Sequence, residues 1–182
     1  MANVGRIAAA AWGQGVTVVT AWWGSPANLL HRDPAEGIVP ALADWLDGPG
    51  RSLLAGRRLE VLGRWPELCP ELGPVVERVR AVAGEGPETF CLLMGYDGRD
   101  EIRAAVAEGG ADFERRLWTA RLPPVDLVLR TGGEAHLSAG FLVWQIAEAR
   151  LSVSRTLWPA YQPDQLRRLL ARAAARTRRY GR

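Results

Sequence analysis

At 182 residues the chain is long enough for one domain with its own core, and 48% hydrophobic against 24% charged residues excludes intrinsic disorder. No apolar run approaches the ~20 residues that span a bilayer, and the opening MANVGRIAAAAWGQG lacks the layout of a secretory leader. The net charge is +3, every basic residue is arginine, and the excess gathers in the C-terminal RRLLARAAARTRRYGR. That tail carries no recognised nucleic-acid module, so no nucleic-acid partner is expected. Two cysteines, Cys69 and Cys91, are too few and too far apart for a disulfide framework or a zinc site. They read as core fillers in a reducing cytoplasm.

In chain order, Asn3 to Gly13 reads as an alanine-rich helix ended by Gly13-Gln14-Gly15. Val16 to Ala21 is a β-branched strand, and Trp22 to Asn28 a loop at its carboxyl end. Ile38 to Leu46 has helical apolar spacing and breaks at Gly48-Pro49-Gly50. Arg58 to Gly63 is a strand, Pro74 to Ala83 a helix, and Thr89 to Met94 a strand running into Gly95-Tyr96-Asp97-Gly98-Arg99 and a helix behind it. Asp112 to Ala120 reads as helix, Val125 to Leu129 as a buried strand, Phe141 to Ala149 as helix, and Leu151 to Leu157 as a last strand or extended segment. Pro163 to Tyr180 forms a terminal helix with Asp164 near its start. Strands alternating with helices imply an α/β fold with a mainly parallel central sheet flanked by helices. Without an interior linker, residues 1–182 are expected to form a single domain.

The most informative stretch is PVDLVLRTGGEAHLSAGFLVWQIAEARLSVSRTLWPAY, residues 124–161. A strand ends at Arg130-Thr131-Gly132-Gly133-Glu134, where two glycines allow a sharp turn beside a ligand. A cation leaving the carboxyl end of such a strand, with Ser138 close by, suits a phosphate. An ordinary turn with a solvated arginine is the competing reading of the tetrapeptide alone.

RTGGE, Ser138, FLVWQ and LWPAY together resemble the signature of the cis-prenyltransferases, the undecaprenyl diphosphate synthase family. The resemblance covers nearly the whole chain. It implies that Arg130 and Ser138 grip the diphosphate of isopentenyl diphosphate, which condenses with an allylic diphosphate. It adds Ser25 and Asn28 in the loop after the first strand, Arg99 at a helix entrance, and Glu134 as pocket residues. It also matches Arg179-Tyr180-Gly181 to the family's C-terminal arginine-x-glycine, so Arg179 and Gly181 would reach a partner's diphosphate site.

Three departures accompany the resemblance. The chain begins within the helix that follows the family's opening strand and aspartate-glycine-asparagine loop, which implies an N-terminally truncated fold without the Mg²⁺-holding aspartate. Arg150 stands at the family's second metal-binding glutamate, and arginine cannot ligate Mg²⁺. His136 stands at a second diphosphate-binding arginine and carries less charge at pH 7. These features resemble the non-catalytic subunits of heteromeric cis-prenyltransferases. The expectation is therefore an accessory chain with no catalytic or metal-ligating residue of its own, paired with a catalytic subunit that binds Mg²⁺ and the allylic substrate. Peripheral membrane contact is compatible with a long-chain product. A stand-alone divergent transferase or cyclase, a non-enzymatic isoprenoid- or protein-binding module, and a start codon upstream of Met1 remain open alternatives.

Overall fold

The computed structural model describes residues 2–31 and 37–175. Helix α1 (Ala2–Trp12) leads into β1 (Val18–Gly24), followed by the short α2 (Pro26–His31) and by α3 (Ile38–Trp45). A π-type turn, Leu46–Gly50, joins α3 to α4 (Arg51–Leu54). After β2 (Arg58–Leu62) come α5 (Trp65–Leu68), α6 (Gly73–Arg80) and β3 (Thr89–Met94). Helix α7 (Gly98–Gly109) runs into a 3-10 segment, and β4 (Leu127–Thr131), β5 (Arg150–Ser154) and α8 (Pro163–Ala174) complete the described chain.

Every described ladder is parallel, as expected, but the sheet is in two pieces. One has the order β1-β3-β2 and the other pairs β4 with β5. The alternating side chains of β3 explain its central place. Phe90, Leu92 and Met94 point into a core with Val4, Ala8 and Trp12 of α1 and Leu42 and Trp45 of α3. Cys91 and Leu93 point the other way, toward Tyr96 and Leu142. All six β3 residues are buried, the pattern of a strand covered on both faces.

The two pieces share their cover. Val19 of β1 and Leu129 of β4 pack on the same cluster of Ile7, Ala10, Ala11, Tyr161 and Leu166. On the opposite face Trp22, Val125 and Phe141 pack together around Leu93 and Leu142. The backbone after β3 meets the backbone after β4 where Gly98 lies against the Gly140 carbonyl, so closely that a Cβ on Gly98 would overlap it. The carboxyl ends of both pieces therefore lie on one side.

Several expected elements come out differently. β1 continues through Trp22 and Trp23 with an irregularity before Gly24, because both indoles find packing and acceptors: Trp22 Nε1 donates to the Tyr96 carbonyl and Trp23 Nε1 to Ile38. The supposed loop beyond it contains α2. The expected helix over 112–120 is a 3-10 segment, Gly110–Arg116, followed by turns. The expected helix over 141–149 is a series of turns, since Ala139 (φ 47°) and Leu142 (φ 44°) take left-handed backbone that a helix excludes. The part of the terminal helix beyond Ala175 lies outside the described residues.

Both cysteines are buried, as expected. Burial pushes the Cys69 thiol up to about 11 and the Cys91 thiol up to about 12. The folded chain thus keeps protons that the unfolded chain releases above the ordinary thiol value of about 8.5. That contribution to stability is complete below about pH 8.5 and is lost as the pH rises toward those values. Denaturant titrations from pH 7 to 10.5 should show stability falling above about pH 8.5, and both thiols should resist a thiol reagent at pH 8 until the chain unfolds. Phe90, fully buried between Trp12 and Trp45, gives the sharpest packing test. Phe90→Ala should cost about 3–5 kcal/mol in urea unfolding.

Candidate functional site

β4 delivers Arg130 to its carboxyl end, and Gly132 and Gly133 then turn the chain with φ of 95° and 86°. L side chains rarely adopt these angles, so the two glycines are what let the loop fold back. The return brings Glu134, His136 and Ser138 to the arginine. Arg130 Nη2 lies 3.2 Å from His136 Nε2 and 3.8 Å from Glu134 Oε2. Ser138 Oγ lies 3.3 Å from His136 Nε2, and His136 Nδ1 lies 3.2 Å from Glu134 Oε2. The Arg130 side chain is 25% exposed, and its buried Nε has no hydrogen-bond acceptor among the described residues. Four of the residues expected at the site thus form one cluster, with guanidinium, imidazole and hydroxyl groups within reach of a single oxyanion.

Arg99 belongs to the same neighbourhood. It sits in the first turn of α7, whose N-cap Asp97 accepts from the Arg99 N–H at 2.8 Å, and it packs beside Gly140, two residues from Ser138. Ser25 and Asn28 bond to each other at the start of α2. Asn28 Oδ1 accepts from the Ser25 N–H at 3.1 Å and from Ser25 Oγ at 3.0 Å, while Ser25 Oγ accepts from the Asn28 N–H at 3.2 Å. This reciprocal arrangement caps the start of α2. Arg179 and Gly181 lie outside the described residues.

The residues that hold the site in place escaped sequence reasoning. Glu101 of α7 is fully buried, and its carboxylate accepts from the Tyr96 hydroxyl. It also accepts from the Thr119 N–H at 2.8 Å and from Thr119 Oγ1 at 2.7 Å. Gln145 donates to Thr119 Oγ1 and approaches Glu101 Oε2 at 3.4 Å. Burial, then the hydrogen bond to Glu101, pushes the Tyr96 phenol far above its usual value. This network ties the end of β3, the segment before β4 and the turns after Ser138 to one another. The only signal in the sequence is an acid one position from Ile102 in the first turn after Tyr-Asp-Gly.

Between the two sheet pieces lies a cavity of about 1150 Å³. Consecutive residues of β1 (18–23) and of β4 (127–131) line it. A strand face would present only alternate residues, so the strands meet the cavity edge-on. Trp22, Trp23, Gln145, Arg130 and Ser138 also reach it. Arg150, three register steps before the Arg130 level, lines it as well and donates to the Ala173 carbonyl at the end of α8, where a cation suits the helix dipole. Among the described residues no three His, Cys, Asp or Glu side chains are grouped to hold a metal ion.

A family model described as "Putative undecaprenyl diphosphate synthase" matches residues 1–181. The chain belongs to this prenyltransferase family. An isoprenyl transferase of Caulobacter vibrioides is 32% identical over 197 residues, covering 97% of this chain and 74% of the relative. A short-chain Z-isoprenyl diphosphate synthase of Mycobacterium leprae is 33% identical over 193 residues, covering 92% and 71%. In three dimensions the chain superposes with a TM-score of 0.85 on lavandulyl diphosphate synthase from Lavandula x intermedia in complex with dimethylallyl diphosphate, at 25% identity, over all of this chain and 86% of that one. The undecaprenyl diphosphate synthase fold is thus present over the described residues, with the Arg130 cluster at a strand's carboxyl end. No described helix is long and apolar enough to cross a membrane.

The Glu101 network predicts a measurable weakness. Glu101→Gln would set an amide N–H₂ against hydroxyl and backbone donors, and each lost buried bond costs about 1–3 kcal/mol. Urea unfolding of the variant should show a loss of at least that size, with Glu101→Asp closer to the parent.

Proposed function

We propose that this chain is the diphosphate-gripping subunit of a two-chain isoprenyl transferase that condenses isopentenyl diphosphate with an allylic diphosphate. The observation that carries this reading is the cluster of Arg130, His136 and Ser138 at the carboxyl end of β4. Arg130 offers a charge-assisted fork to phosphate oxygens and Ser138 a hydroxyl donor. Together they would hold the diphosphate of isopentenyl diphosphate while its double bond attacks the allylic carbon. The described residues do not fit as a cage for Mg²⁺, since no acid cluster is present among them and Arg150 is committed to the end of α8. In this reading acids of a partner chain ionise the allylic diphosphate, and Arg179 and Gly181 would contribute to that partner's site.

Two surfaces support association. The cavity-facing edges of β1 and β4 ladder with nothing across the gap among the described residues, and backbone N–H and C=O groups need partners that a hydrocarbon chain cannot supply. An extended strand lying parallel to both would supply them. At the far edge, β5 exposes Leu151 and Val153, close in sequence to exposed Leu157 and Trp158, an apolar strip of the kind that marks protein contact. A second reading places the inserted strand in the same polypeptide. It is favoured by Asn3, whose side chain donates to the Trp158 carbonyl at 2.6 Å and the Tyr161 carbonyl at 3.0 Å, beyond the end of β5. A strand running with β1 and β4 would end where α1 starts.

The test is isopentenyl diphosphate incorporation with an allylic primer and Mg²⁺, by the chain alone and with its co-purifying partner, alongside the intact mass of the protein from its natural source. Activity only in the mixture supports the accessory role. A mass exceeding the 182-residue chain at its N-terminus supports the second reading. In whichever assembly is active, Arg130→Ala should weaken isopentenyl diphosphate binding by roughly 10- to 150-fold, the equivalent of one charged hydrogen-bonding group. Unchanged binding would remove Arg130 from the site.

A further inference from the structure

Both glycine amides of the turn after β4 already have acceptors. Consecutive backbone N–H groups in such a turn often form an anion-binding concavity, but these two are directed to the β5 side. The Gly133 N–H donates to the Ser154 carbonyl at 2.9 Å, and the Gly132 N–H to the Thr156 carbonyl at 3.1 Å. They carry the β4–β5 pairing beyond its last ladder partners, Thr131 and Ser154. The turn that returns Glu134, His136 and Ser138 to Arg130 is therefore anchored from outside, on residues 154–156.

That anchor is held by side chains. Ser154 Oγ accepts from the Thr156 N–H at 3.2 Å, which closes a tight local turn. Thr156 Oγ1 accepts from Gln165 Nε2 at 3.0 Å. The other end of the same amide is engaged as well: Gln165 Oε1 accepts from the Gln162 N–H at 2.8 Å, at the start of α8. A backbone N–H only donates, so the amide presents its oxygen to Gln162 and its N–H₂ to Thr156. One side chain thus joins the first turn of α8 to the residue whose carbonyl holds Gly132.

We propose that Thr156 and Gln165 are positioning residues of the diphosphate site, clamping the glycine turn to α8 so that Arg130 and Ser138 stay within reach of one ligand. This rests on the assignment of Arg130 and Ser138 to diphosphate binding. Glycines leave a turn wide conformational freedom, so without the clamp the turn is open in a larger fraction of molecules. Apparent affinity falls in proportion to the fraction that remains competent to bind. The clamp is one neutral side-chain hydrogen bond, so its removal should weaken binding by roughly 2- to 12-fold.

Titration calorimetry of the full chain with inorganic pyrophosphate measures the affinity, and urea unfolding of the same proteins reads stability separately. Thr156→Val keeps the β-branched shape and deletes the acceptor, while Gln165→Leu deletes the donor. Each should weaken pyrophosphate binding by the factor above, and the double variant no further, because both break one link. Gln165→Glu should bind close to the parent. Its carboxylate still accepts from Gln162 and can accept from the Thr156 hydroxyl, and an acid suits a helix start. A purely structural role would lower the stability of Thr156→Val and leave its affinity unchanged. That result, additive losses in the double variant, or weak binding by Gln165→Glu would overturn the clamp while leaving Arg130 and Ser138 in place. Absence of pyrophosphate binding by the parent would overturn the Arg130–Ser138 reading and the clamp with it.

Discussion

A carboxylate with no access to water must be surrounded by donors, and Glu101 obtains its donors from three separate parts of the chain. Tyr96 comes from the end of β3, Thr119 from the turns before β4, and Gln145 from the turns after Ser138. An unpaired buried charge would be far more costly than any of these bonds is favourable, so the three segments are held together or the region does not form. The functional consequence follows along the chain, where Arg130 lies 11 positions after Thr119. The two sheet pieces share no ladder, so the relation between the β3 end and the Arg130 loop is set by this network, by the Gly98–Gly140 contact and by packing around Leu93 and Leu142.

The strands were the most legible part of the chain, although only β3 is buried throughout and β4, which the sequence marks as a buried strand, is mostly half-buried. TFCLLM reads as a strand and is one over the same residues, Thr89–Met94. Where the sequence was misread, long-range packing had overridden local preference. FLVWQIAEA has helical spacing, yet Leu142 is drawn into the cluster with Cys91 and Leu93 at a left-handed backbone angle, and the helix is lost. Trp22 and Trp23 look like loop residues after a strand, but both lie in β1, where each indole donates to a carbonyl distant in sequence. The short α2 and the 3-10 turns carry too few residues to leave a periodic trace.

The site was legible in a different way. Arg130, Glu134, His136 and Ser138 lie within nine consecutive residues and needed only a turn to meet, which Gly132 and Gly133 announce. Glu101 and Gln145 are 44 positions apart, and no local pattern links them. The three-residue spacing of Ser25 and Asn28 is shared by ligand loops and helix caps, and their hydrogen bonds form a cap.

The anchoring of Asn3 to Trp158 and Tyr161 joins groups 155 and 158 positions apart in sequence. Contacts of such separation are formed only after the intervening chain has been ordered, because loop closure must be met before the contact repays it. The β1-β3-β2 piece, built from nearer neighbours, is free to assemble before α1 and α8 seal against one another. The seam between those two helices is thus a late feature of folding. Changes there act mainly on how fast the native protein comes apart and little on how fast it forms.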